Sequence, residues 1–181
     1  MERHGVLTAV LFIAGCSAAL AASGPNLWLN VPFVSQQKQG CGPATVAMVM
    51  QYWQQDLHQT PQAGADAEEI LRALQPNRHG VSATAMVRYF EQHNYRAFAY
   101  VGDWANVEQE LTKGRPLIAA LKPRGNDKLH YVVLVGVDDT EQVVLLNDPA
   151  QRKLLKEDRA QFEREWKATD NWTLLAVPKL K

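Results

Sequence analysis

Cysteine is scarce in this 181-residue chain, which has two, Cys16 and Cys41. Neither belongs to a CxxC pattern and no HExxH occurs, so the sequence offers no recognisable metal site and calls for no cofactor. A surplus of either charge is also missing. Lys and Arg total 19, as do Asp and Glu, and no segment concentrates basic side chains, which argues against a nucleic-acid partner. Internal repeats are lacking. What remains, 46% hydrophobic residues with five Trp, is the composition of a globular chain, long enough for one domain with a real core.

A bilayer-spanning run is absent from the N-terminus too. Residues 6–14 are apolar but too few to cross a membrane, and they follow Arg3 and His4, the pattern of a signal-peptide core. The run ends in Ile13-Ala14-Gly15-Cys16, which resembles the lipobox of bacterial lipoproteins, where cleavage leaves the cysteine acylated as the first mature residue. The expected organisation is a lipoprotein-type signal peptide over 1–15, a polar tether over 16–26 and one domain over 27–181. The exported protein would be held at the outer membrane or facing the periplasm through Cys16. Ordinary cleavage after Ala21, at the A-x-A match Ala19-Leu20-Ala21, would instead discard Cys16 and give a soluble product. Either way a single free thiol survives, and an unpaired cysteine in an exported protein points to reactivity.

Along the domain, residues 27–34 read as a strand or extended entry. Residues 44–54 contain no Gly or Pro and are apolar almost all round, as in a helix buried at the centre of a domain. Further helices are expected over 66–74, from the cap Ser82 to 93, from the cap Asp103 to 113, and over 158–167. Strands are expected at 96–101, 117–121, 130–137, 143–147, 151–155 and 171–177, with 130–147 forming a hairpin around a turn at 138–142. Helices come mainly first and strands mainly last, which indicates an α+β fold with an N-terminal helical part packed on a C-terminal antiparallel sheet.

Chemistry gathers at three element ends. Cys41, in Gly40-Cys41-Gly42-Pro43-Ala44, precedes the buried helix, whose free N–H groups and partial positive charge favour a thiolate. His130 opens a strand after a polar loop. Asp148 closes the next strand, and pairing of the two strands would let its carboxylate accept the imidazole N–H, with Asn147 as the alternative partner. An oxyanion needs preorganised donors; Gln36 with the Cys41 N–H is the first candidate, and Gln37 and Gln39 compete with it. His4, His58, His79 and His93 have weaker claims.

Val31-Pro32-Phe33, a glutamine, Cys41-Gly42-Pro43-Ala44, His130-Tyr131-Val132-Val133 with Gly136, and Asn147-Asp148-Pro149-Ala150 together resemble the papain-like bacteriocin-processing peptidases, which cut after a double-glycine leader. The resemblance runs from about residue 29 to 178. It implies a papain-like fold and a cofactor-free cysteine peptidase acting on a peptide or protein, with an envelope or export-system partner. It also implies roles: Cys41 attacks, His130 is general base and then acid, Asp148 orients it, and Gln36 serves the oxyanion hole. Two other readings stay open, acyl transfer to an amine by the same triad and a non-catalytic envelope binding module.

Overall fold

The computed structural model describes residues 27–37, 40–58, 64–75, 80–125 and 128–179. The expected signal peptide, the tether and Cys16 lie outside the described residues, as do Gln39 and His79. In chain order the elements are β1 (Leu27–Trp28), α1 (Cys41–Asp56), α2 (Ala67–Leu74), α3 (Ala83–Gln92), β2 (Tyr95–Val101), α4 (Trp104–Thr112), β3 (Leu117–Leu121), β4 (His130–Asp138), β5 (Val143–Asn147), β6 (Leu155–Asp158), α5 (Arg159–Lys167) and β7 (Trp172–Pro178). None of the described helices is long and apolar enough to cross a membrane.

The expected α+β class holds. One sheet runs β2-β7-β3-β4-β5-β6, with β1 on β4, and these strands pair antiparallel. β3 and β4 are buried at almost every position, which requires cover on both faces of the sheet. Tyr131, Val133 and Val135 pack with Val46, Met50 and Trp53 of α1 and with Met86 and Phe90 of α3. Val132 and Leu134 point the other way, into a second core with Val107 and Leu111 of α4 and Phe162 and Trp166 of α5. The helices therefore flank the sheet, with α1 and α3 on one face and α4 and α5 on the other.

α1 is the central element. It is buried from Gly42 through Met50, and Trp53 Nε1 donates to the Ala176 carbonyl of β7 at 2.9 Å, so the apolar helix is anchored to the sheet by a polar bond in the core. It starts at Cys41, three residues before the expected boundary at 44, because Pro43 fits the first turn, where its missing N–H has no intrahelical partner to lose. Ser82 and Asp103 cap α3 and α4 as anticipated, and Asp158, expected inside its helix, proves to be the cap of α5; each accepts a backbone N–H from the first turn.

Two strands differ from expectation. Of residues 27–34 only Leu27–Trp28 is strand; Leu29 N still donates to the Val135 carbonyl, after which Pro32 offers no donor to continue a ladder. The strand expected at 151–155 sits at Leu155–Asp158 instead, because residues 148–152 are taken up by a turn and Leu154 has φ 52°. β1 crosses β4 at Gly136, where a Cβ would lie 2.4 Å from the Leu27 carbonyl oxygen, so glycine is required by the close approach.

Candidate active site

α1 and the β4–β5 hairpin deliver the chemistry to one place. Cys41 is the first residue of α1, a free and half-buried thiol. No acidic side chain occupies the first turn, so the helix's positive end is not offset locally. β4 begins at His130, opposite Leu121 of β3. β5 pairs Asn147 with Val133, and the chain leaves β5 so that Asp148 reaches the imidazole. His130 Nε2 and Asp148 Oδ1 are 2.7 Å apart, on side chains only 18% and 5% exposed.

The hydrogen bonds fix the ring's role. With Nε2–H given to Asp148, Nδ1 is the nitrogen left to face the thiol, and the imidazole acts on Cys41 so as to lower its pKa. Burial alone would raise the Cys41 pKa, but the His130 hydrogen bond, the backbone groups of Tyr131 and Gly42 and the imidazolium charge outweigh it and hold the thiol below its ordinary value. Burial would likewise lower the His130 pKa; Asp148 and Cys41 overcome it and push it up to about 9. Asp148 is held below the usual carboxylate range despite burial by His130, the Ala150 N–H and Gln151. The three shifts agree in favouring thiolate, imidazolium and carboxylate together.

These groups line a cleft of about 490 Å³, shared with Gln36, Gln151 and Glu157. Gln36 is tied to the hairpin end, its backbone N–H donating to the Pro149 carbonyl at 2.9 Å. Its Oε1 is buried and has no donor among the described residues, while Gln37 extends to Glu68 of α2 at 3.2 Å. Of the competing glutamines in the described residues, Gln36 is therefore the one at the cleft. Asn147 turns away from the imidazole. Its Nδ2 donates to the Val31 carbonyl at 3.1 Å and its Oδ1 accepts the Leu154 N–H at 3.1 Å.

Three participants were not anticipated from sequence. Gln151 Nε2 donates to Asp148 Oδ2 at 2.6 Å; an amide three residues beyond the Asp-Pro turn was the available signal. Glu157, on β6, has its carboxyl pushed up to about 7 by burial and by Glu165, Asp148 and Asp158. Tyr131 adds its backbone to the thiol's surroundings, a contribution no side-chain motif could reveal. His93 stacks on Tyr89 with ring centroids 4.1 Å apart, far from this chemistry in role, and no group of metal-ligating side chains exists among the described residues.

The model of the Peptidase_C39 like family matches residues 28–173, in keeping with the resemblance carried by the motifs. Comparison with curated proteins finds no match. Solved structures share the fold. A double glycine motif protease from an AMS/PCAT transporter, in complex with the leader peptide, is 22% identical, with 83% of this chain and 94% of that chain covered and a TM-score of 0.62. A C39-like peptidase from Bacillus anthracis is 19% identical over 86% of this chain and 99% of that one, with a TM-score of 0.69. The peptidase domain of Streptococcus ComA, a bi-functional ABC transporter involved in a quorum sensing pathway, is 17% identical over 80% and 96%, with a TM-score of 0.62.

Proposed function

We propose, because this chain belongs to the Peptidase_C39 like family of cysteine peptidases, that it hydrolyses peptide bonds through Cys41, His130 and Asp148 with Gln36 in support. The observation that carries the reading is the 2.7 Å bond from His130 to Asp148 on a ring that lines the same cleft as the Cys41 thiol. In this scheme the thiolate adds to the scissile carbonyl carbon, and the oxyanion is received by the Cys41 N–H and the Gln36 side-chain amide. The C–N bond then breaks as the His130 imidazolium gives its proton to the leaving amine. Water, deprotonated by the now neutral imidazole, attacks the thioester, and collapse releases the acid and restores the thiolate–imidazolium pair. Asp148 keeps its charge throughout and holds the ring in the tautomer that both steps need.

The similar protease described with the leader peptide bound supports a peptide or protein as the substrate. The basic start, short apolar core and Ile13-Ala14-Gly15-Cys16 of the N-terminus support export and acylation at Cys16. Activity is tested with Cys41→Ala. Peptide hydrolysis should fall by at least about 1000-fold, since only binding and the oxyanion donors remain. Undiminished cleavage by the folded variant would remove Cys41 from the chemistry.

A further inference from the structure

We propose that Gln151 is a positioning residue of the active site, whose side-chain amide holds the second oxygen of Asp148 and so fixes the plane in which that carboxylate meets His130. The proposal rests on the triad assigned above and adds a fourth member behind it. Asp148 Oδ1 receives His130 Nε2 at 2.7 Å and the Ala150 N–H at 2.8 Å. Those bonds hold one oxygen. The terminal torsion of an aspartate is broad and nearly two-fold, so a carboxylate fixed at one oxygen can still swing and exchange its two ends. Gln151 Nε2, 2.6 Å from Oδ2, closes that freedom, and among the described residues Oδ2 has no other donor.

The backbone puts Gln151 there for a local reason. Its N–H donates to the Asp148 carbonyl at 3.0 Å, and the Asp148 N–H donates to the Arg152 carbonyl at 3.1 Å, so the chain turns back on itself and sets the two side chains side by side. Pro149, inside the same turn, receives the Gln36 N–H. One five-residue turn thus holds the carboxylate on both oxygens and anchors the oxyanion donor's backbone. The other glutamine of this wall, Gln161, is engaged with Glu165 at 3.2 Å.

Charge enters the cleft from each side: Cys41 from α1, Lys128 ahead of β4, Glu157 from β6 and Glu165 from α5. Gln151 is neutral, so replacing it with methionine removes a donor of similar reach without altering that balance. The consequence lies in the thiolate–imidazolium pair. With Asp148 free to swing, the imidazolium is less well held and in turn holds the thiolate less well. The pH at which the pair forms should rise, and the pH at which His130 loses its proton should fall.

The experiment uses the whole protein and iodoacetamide, with carboxamidomethylation of Cys41 followed by intact mass across pH. The wild type should show two inflections, one where the pair forms, below the ordinary thiol range, and one where His130 deprotonates. In Gln151→Met these should approach each other, each moving by about half a pH unit or more, the scale of one lost bond to a charged group. The thermal midpoint should stay close to wild type, since the side chain is at the surface. If the Met variant does not fold, Gln151→Ser, too short to reach Oδ2, gives the same reading. Unmoved inflections with a slower overall rate would overturn the proposal and leave the triad standing. A single ordinary thiol titration in the wild type would overturn both.

Discussion

At the scale of single residues, the site depends on hydrogen bonds and neighbouring charges that favour ionisation of Cys41 and His130 in spite of burial. Hydrolysis should therefore follow a bell in pH. It should rise as Cys41 ionises, below the ordinary thiol value, and fall as His130 loses its proton at about 9. Stability follows the same groups with signs that can be worked out. The folded His130 pKa is raised above 6.5, so its contribution is complete below 6.5 and is lost as pH rises through about 9. That of Asp148 is lowered, so its contribution is present above the ordinary carboxylate value and disappears as pH falls through the folded one. Thermal midpoints measured across pH should show a wild-type plateau that falls away at both ends, with a smaller alkaline fall in Asp148→Asn. The same variant should lose activity by about 100-fold or more, because the amide cannot carry the charge that balances the imidazolium.

Among the elements, the β4–β5 hairpin is the part on which the site most depends. Asn147 closes it by bonding the entry segment at Val31 and the backbone of Leu154, in complete burial. Asn147→Leu should cost about 2–4 kcal/mol by urea denaturation, because the carbonyl of Val31 and the N–H of Leu154 lose their partner inside the core. Activity per folded molecule should fall less than in Asp148→Asn, since Asn147 faces away from the ring. Much of this was legible in the sequence. Ser82 and Asp103 announce helix starts by their own side-chain chemistry, and the Val-rich run after His130 reads as a buried strand. Cys41, His130 and Asp148 were legible because each stands at an element end beside a turn signal. Other features were not. The choice of Gln36 over Gln37 depends on a backbone bond to Pro149, more than a hundred residues away, and Gln151 depends on how the turn after Asp148 closes. The displaced β6 has the same origin, since no local preference announces that Leu154 adopts a positive φ.

For the whole molecule, the sheet with helices on both faces sets α1 against β4 so that a helix start and a strand start share one cleft. The N-terminal segment would add a location to that machine. If Cys16 carries acyl chains, full-length protein should stay with membranes through a high-salt wash, and Cys16→Ser should release it, because the neutral chain has no net charge with which to hold an anionic surface. Recovery of the wild type in the soluble periplasmic fraction, starting at Ala22, would favour ordinary signal cleavage and leave the peptidase untouched. Whether Cys41 cleaves peptide bonds is decided by exposing a complex peptide library to the purified protein and sequencing the new termini by mass spectrometry. A recurrent set of cleavages is expected, vanishing both in Cys41→Ala and after alkylation of the wild type. The same cleavages persisting in folded Cys41→Ala would contradict that role of Cys41.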